Sequence, residues 1–365
     1  MVCNCFDDKV GFVENVMKAF GELFIDETKK GIKLQTSEYK KQGNHIIVDQ
    51  GKNPIAGYTD REKGLFEDVP VIIFGDHTRV IKYVDQPFFL GADGVKILRS
   101  KDKNSNYKYL YYALRNANIP DTGYNRHFKW LKETKINYPS VAMQDEIVKI
   151  LDKLSDIIDR RKTQLQGLDN LIKARFVEMF ENEIEYNKVK LEEIADIVSG
   201  ITKGRKTKCG ELREVPYMAV SNVKDGYIDW TTVKTILATE DEIIQYKLLP
   251  DDVLMTEGGD PDKLGRGAII SLPPKDCIHQ NHIFRVRLDE TQILPRYFAA
   301  YLQSSQAKTY FLRAAKQTTG IASINMSQLR GLPTIVPPIE LQLKYSLFSE
   351  QVDKSKLLSL IKLLE

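Results

Sequence analysis

The hydrophobic pattern changes period along this chain. Ile147, Leu151, Leu154, Ile158, Arg161, Leu165, Leu168, Ile172, Arg175 and Met179 are spaced alternately four and three. Only the two arginines interrupt the apolar seam. A heptad sustained this long predicts a coiled-coil helix over 141–181, roughly 50–60 Å long at the helical rise per residue. Such a helix cannot bury its stripe alone. A second stripe, Tyr345, Phe348, Val352, Leu357, Leu360, Ile361 and Leu364, offers a partner over 338–365, with a change of phase between Val352 and Leu357. The simplest pairing is antiparallel. The competing arrangement lays each helix back on its own globule.

Elsewhere the period is two. "GVKILRS" and "HIFRVRL" alternate apolar and basic residues, as a half-buried strand does. Aromatic-rich short helices follow each, "YKYLYYAL" and "PRYFAAYL", with Tyr109 opposite Tyr297 and Leu114 opposite Leu302. A Thr-Gly turn comes next in both, matching Gly123 to Gly320. Then "INYPSVAMQDEIVKIL" and "TIVPPIELQLKYSLFS" each run from strand through proline and glutamine into a long helix. Pro139 matches Pro337 after a one-residue slip, and Gln144 and Gln342 read as scaffold in the first helical turn. "FGELFID" near the start resembles "LEEIADI" (191–197). The shared order argues a tandem duplication. The predicted fold class is α+β: two tandem globules, 1–140 and 182–337, joined by two long helices, 141–181 and 338–365, in an antiparallel coiled coil with pseudo-twofold symmetry. Two similar heads suit a ligand with two similar sites along a line, and DNA is one.

Composition narrows the field. Of 365 residues, 42% are hydrophobic and 28% charged, and no apolar run approaches the roughly 20 residues that span a bilayer. The start lacks a basic segment followed by an apolar one, so secretion is not expected. Cys3, Cys5, Cys209 and Cys277 form no CxxC pair, which fits reduced thiols and a cytoplasmic location. Cys3 and Cys5 lack nearby partner ligands for a metal. "KGRKTKCGELR" (203–213) sets five cations around one acid: either a phosphate footprint or a solvated surface.

Catalytic motifs are weak. Asp121, Glu133 and Lys135 satisfy a loose PD…ExK nuclease spacing, but Asp121-Thr122-Gly123 reads as a turn and the repeated segment "TTGIASINMSQLRG" keeps no acid. "IVPPIE" lacks the Asn or Asp and the aromatic that would hold a flipped base. His45, His77, His127, His279 and His282 form no relay, and the pair His279/His282 reads as structural or base-contacting rather than metal-binding. A non-catalytic chain without cofactor or metal is expected.

Taken together, the repeat, the proline–glutamine junctions and the paired helices resemble the specificity subunit of type I restriction–modification systems. The resemblance covers nearly the whole chain, including "IIVDQGKNPIAGYTD" (46–60), "VIIFGDHTRVIKYVDQPFF" (71–89), "VPYMAVSNVKDGYID" (215–229), "LLPDDVLMTEGG" (248–259) and "CIHQNHIFRVR" (277–287). The first fifteen residues depart from the family pattern. The resemblance implies that each globule is a target recognition domain reading one half of a split double-stranded DNA site. It implies that the helices space the globules and dock two modification (methyltransferase) subunits, which would bind S-adenosylmethionine. Restriction (motor/nuclease) subunits would complete the complex.

On that reading Lys203, Arg205, Lys206 and Lys208, with Arg79 and Lys82, are candidates for phosphate contacts. Lys52, Asn53, Thr78 and Arg126 in the first globule are candidates for base reading, as are Lys263, Arg266, Gln280 and Asn281 in the second. Each competes with an ordinary role as an exposed polar residue. Two other readings are a helical adaptor whose globules bind protein, and an orphan or recombining half of a specificity locus.

Overall fold

The computed structural model describes residues 16–91, 93–181, 186–206, 211–259, 264–318 and 321–361. Gly320, Leu364, Lys208, Lys263, Cys3, Cys5 and Cys209, all singled out from the sequence, lie outside the described residues. Two compact units divide the chain at 159/160, inside one continuous helix.

In the first unit β1 (Met17–Ala19), α1 (Phe20–Leu23) and β2 (Phe24–Asp26) lead into β3 (His45–Val48) and β4 (Gly57–Thr59). Then come β5 (Val71–Gly75), β6 (Ile81–Val84), β7 (Phe88–Leu90) and β8 (Val95–Ser100). The helices α2 (Tyr107–Arg115) and α3 (Phe128–Lys132) precede β9 (Lys135–Asn137) and the long α4 (Val141–Phe180). The sheets are β2-β8-β5-β6, β4-β3-β7 and the pair β1-β9. β5, "VIIFG", is buried on both faces, which is why an unbroken apolar run becomes an inner strand.

The second unit continues with β10 (Lys188–Lys190), β11 (Ala195–Ser199), β12 (Arg213–Met218) and β13 (Lys234–Ala238), then α5 (Glu240–Tyr246). β14 (Val253–Thr256), β15 (Gly258–Gly259), β16 (Gly267–Ile269), β17 (Ile278–His279) and β18 (Ile283–Leu288) follow. Next are α6 (Pro295–Tyr301), α7 (Ser305–Ala314), β19 (Lys316–Thr318), β20 (Ile321–Ser323) and α8 (Met326–Arg330). β21 (Pro333–Ile335) and α9 (Ile339–Ile361) complete the order. Its sheets are β11-β18-β14-β16, β13-β12-β17 and β10-β21. These are the first unit's three sheets strand for strand, including the parallel contact at β3/β7 and β12/β17. The duplication is therefore structural. The β15-β20-β19 sheet is described only in the second unit.

One expected pattern fails, because β18 is buried on both faces. Alternation in "HIFRVRL" places its arginines in water, yet Arg285 is 3% exposed. Its guanidinium meets Asp196 and the Gln245 carbonyl, while Arg287 grips buried Asp252 through two bonds at 2.8 and 2.9 Å. Fixed acids and carbonyls replace much of the water that these charges give up, while Arg285 Nε is enclosed and unpaired.

Each head is fastened to its helix in the same way. Gln144, fully buried, accepts the Asn106 N–H at 3.0 Å and donates to the Pro139 carbonyl at 2.9 Å. Gln342, also fully buried, accepts the Leu294 N–H at 2.8 Å and donates to the Pro337 carbonyl at 2.8 Å. Asn106 and Leu294 are the N-caps of α2 and α6, so the amide stands in for a missing helical partner. Tyr109 and Tyr297 donate to the Asn137 and Ile335 carbonyls, tying the same aromatic helices to β9 and β21.

The long helices divide their apolar stripe. Ile147 and Val148 pack into the first core; Ile172, Phe176, Met179, Phe180, Leu341 and Tyr345 pack into the second. At their roots, then, the helices lie on their own heads, the arrangement that competed with pairing. Further along, α4 and α9 do pair, antiparallel: Phe176 meets Tyr345, Arg175 lies over the Phe348 ring, Lys356 binds Asp169 at 2.6 Å and Ser359 reaches Gln164. Leu151, Leu165, Leu168 and Phe348 are half-buried.

The expected seam is corrected at its ends. The inward face of α9 is Tyr345, Ser349, Val352, Lys356 and Ser359, in unbroken four–three spacing. A regular helix keeps its phase, so Leu357 and Leu360 stay 59% and 45% exposed while Lys356 and Ser359 face α4. Leu154 and Ile158 on α4 are likewise exposed.

Replacing Gln342 with Leu removes the side-chain partner of the Leu294 N–H and of the Pro337 and Gln292 carbonyls. Urea unfolding of the second unit is expected to show a loss of about 1–3 kcal/mol. A change below about 0.5 kcal/mol, the scatter of ordinary surface substitutions, contradicts the clamp.

Candidate nucleic-acid interface

In the first unit three loops are bound into one crest. The β5–β6 turn carries His77, Thr78 and Arg79; Thr78 Oγ1 donates to the Gln50 carbonyl at 2.6 Å, and the His77 N–H donates to Gln50 Oε1 at 3.2 Å. Gly94, at φ +87°, leaves room for this: a Cβ there would sit 2.8–2.9 Å from the His77 ring and the Gln50 amide. The 119–127 loop joins through buried Asp76, whose carbonyl accepts the His127 N–H at 2.7 Å and whose carboxylate accepts the Phe128 N–H at 2.8 Å. Lys52, Asn53, Thr78 and Arg126 are exposed on this crest, so the four candidate base readers of the first head are brought together.

Its two candidate phosphate contacts are not placed for that task. Lys82 is 7% exposed and donates to the Asn53 carbonyl at 2.5 Å, with Asp49 at 3.4 Å. Burial holds its ammonium below the ordinary lysine value, against the pull of Asp49. It braces the 49–53 loop from beneath. Arg79 adopts φ +60° and binds Asp121 at 2.5 Å and the Ile119 carbonyl at 3.2 Å. A left-handed backbone costs a non-glycine residue about 1–2 kcal/mol, and these bonds hold it there. Asp121 also accepts the Gly123 N–H, which makes it the turn residue expected and commits its carboxylate to Arg79.

In the second unit Lys203 and Lys206 are exposed. Arg205 is not free for phosphate: Glu242 grips it through two bonds at 2.6 and 2.5 Å. Arg213, from the same basic stretch, pairs with Glu240 and Asp276. Gln280 and Asn281 are half-buried, and their contacts are structural. Gln280 Oε1 accepts the Val220 N–H at 3.3 Å, and the Asn281 backbone bonds Ile201 and Ser199. Arg266 is half-buried, with its Nε enclosed and unpaired.

The two histidines part company. His279 is fully buried, its ring nitrogens facing the Tyr246 and Val198 carbonyls at 3.0 and 3.3 Å. Burial pushes its pKa down to about 4, outweighing those carbonyls. His282 is exposed and meets Glu257 at 2.5 Å. Glu257 bonds the His282 and Ile324 backbones as Asp76 bonds Gly94 and His127, so this pair occupies the second head's matching crest. Sequence reading passed over Glu257, Gln50 and Tyr124; only the bonds that align the two crests expose them. Among the described residues no three His, Cys, Asp or Glu side chains gather around a metal-sized site. No described helix is long and apolar enough to cross a membrane.

Beside the paired helices of the second unit lies a cleft of about 940 Å³. Asp169, Lys173, Glu181, Arg296, Lys308 and Lys356 line it with both signs of charge, a surface better matched to protein than to a run of phosphates.

Tandem α+β heads, each with an exposed loop crest and each fastened to a long helix by a buried glutamine, define a duplicated two-headed protein. The type I restriction modification DNA specificity domain matches residues 11–170 and again 183–362, and the chain belongs to that family. The Escherichia coli EcoR124I/EcoR124II specificity subunit is 26% identical over 348 residues, 88% of this chain and 82% of that one. The EcoKI specificity subunit of Escherichia coli K12 is 22% identical over 223 residues, 57% and 48% of the respective chains. The crystal structure of a type I S subunit from M. genitalium superposes with a TM-score of 0.58 at 16% identity, covering 98% of this chain and 94% of that one. A chain from a structural study of type I R-M complex assembly and conformational transition gives 0.52 at 13% identity, covering 96% and 93%.

His279 generates a pH prediction. Its contribution is complete above pH 6.5, where the unfolded imidazole is also neutral, and is lost as pH falls towards about 4. Across that window the wild type should lose roughly 3 kcal/mol more stability than His279→Gln in urea titrations. Parallel pH curves for the two proteins would show that His279 titrates normally.

Proposed function

We propose that this chain is the DNA-recognition subunit of a type I restriction–modification complex, each head reading one half of a bipartite double-stranded site. The observation that carries the reading is the repetition itself. One three-sheet head is built twice, and the same glutamine clamp fastens each copy to a long helix. Scaffold is repeated while the crest residues differ, which suits two half-sites of different sequence. Lys203 and Lys206, with Lys208 in the same stretch, supply salt-dependent affinity for phosphates. Base reading falls to exposed crest side chains.

The helix pair acts as spacer and as dock for two modification subunits, and the mixed-charge cleft is the surface offered to them. S-adenosylmethionine and the methyl-transfer step belong to those partners, and cleavage to the restriction subunits. This chain contributes position and choice of sequence, in the cytoplasm with its DNA.

Gel shifts of the chain with its methyltransferase partner, across 50–200 mM salt, test the DNA reading. For 6–10 phosphate contacts affinity should fall roughly a thousandfold or more. Lys203→Ala with Lys206→Ala should lower the log–log salt slope by about 2, whereas Lys82→Ala should leave it unchanged. A flat salt response in the wild type points instead to the protein-binding adaptor.

A further inference from the structure

The first head's crest carries an aromatic pair that neither core nor scaffold requires. The rings of His77 and Tyr124 stack with centroids 4.9 Å apart and planes 10° from parallel. Tyr124 is 88% exposed, so its ring contributes almost nothing to the core. Its loop is fixed by other bonds: Asp121 to Arg79, the Gly123 N–H to Asp121, and the His127 N–H to the Asp76 carbonyl. The stacking partner is fixed as well, by Gln50 through the His77 N–H. An exposed tyrosine on a rigid loop, backed by a second ring, is pre-organised to meet a ligand with little ordering cost.

Comparison of the two heads sharpens this. Tyr109 and Gln144, which tie helix to strand, recur as Tyr297 and Gln342 with the same bonds. The Tyr124 segment does not recur. Aligned through the bonds of His127 and Ile324, its counterpart is β20, paired on one side with β15 and on the other with β19. What the heads share is scaffold; here they differ, as elements that read different bases must.

We propose that Tyr124 is a specificity-determining residue of the first head, packing its ring on the methyl edge of a thymine in the major groove, with His77 as its positioning residue. Apolar contact with that methyl distinguishes thymine from the other bases, and a tyrosine ring supplies it on a side chain with few torsions. The proposal rests on the DNA-recognition reading and adds the residue and the base to it.

The test uses the full chain in complex with its methyltransferase partner and a set of duplexes carrying every base at each position of the wild-type site. Tyr124→Ala should lower discrimination roughly 3- to 10-fold at a T·A pair of one half-site, leaving discrimination at the other half-site unchanged. His77→Ala should reproduce part of the effect, and His77→Phe, which keeps a ring beneath Tyr124, should restore it. Unchanged discrimination at every position overturns the inference while leaving the DNA reading intact. Uniform weakening at both half-sites also overturns it, since that is the mark of a merely structural ring. A wild-type complex that prefers no bipartite site overturns the DNA reading and this inference with it.

Discussion

A glutamine amide sealed from water joins head to helix in both units, and most of the architecture follows from that junction. The strand before it must end, because proline cannot continue a sheet ladder. The proline carbonyl is then buried without a strand partner, and so is the N-cap N–H of the aromatic helix. One primary amide has a donor and an acceptor to meet both needs. Because each partner is sequestered, removing the amide costs more than forming it gains. The two bonds fix where each helix leaves its head, and the duplication carries the same few residues into both copies.

The helix pair obeys a second constraint. A helix holds its phase, so α9 turns Lys356 and Ser359 towards α4 although leucines lie one residue away. A polar inner face weakens the pair and leaves Leu357 and Leu360 against solvent.

Much of this was legible in the sequence, for identifiable reasons. The heptads, the duplicated order and the proline–glutamine junctions are local patterns, and local patterns survive without a fold. The scaffold role of Gln144 and Gln342 could be read from their position alone. What failed was side-chain environment. Lys82, Arg79 and Arg205 looked like free cations because nothing nearby in sequence shows Asn53, Asp121 or Glu242, which lie 29, 42 and 37 residues away. Leu357 and Leu360 looked like seam because a stripe was followed by composition rather than by phase. Gln280 looked like a base reader because its type suits adenine, yet its amide is occupied by Val220.

In the proposed complex, paired helices of fixed length set the spacing of the two half-sites. One measurement tests it directly: methylation-detecting sequencing of DNA from cells expressing the chain with its methyltransferase partner, before and after removal of seven residues from each long helix. Seven residues are about 10 Å of helix, the rise of roughly three base pairs. The expected result is a split, asymmetric motif whose two halves keep their sequence while the spacer shortens by about that amount. A motif whose spacer is unchanged would contradict it.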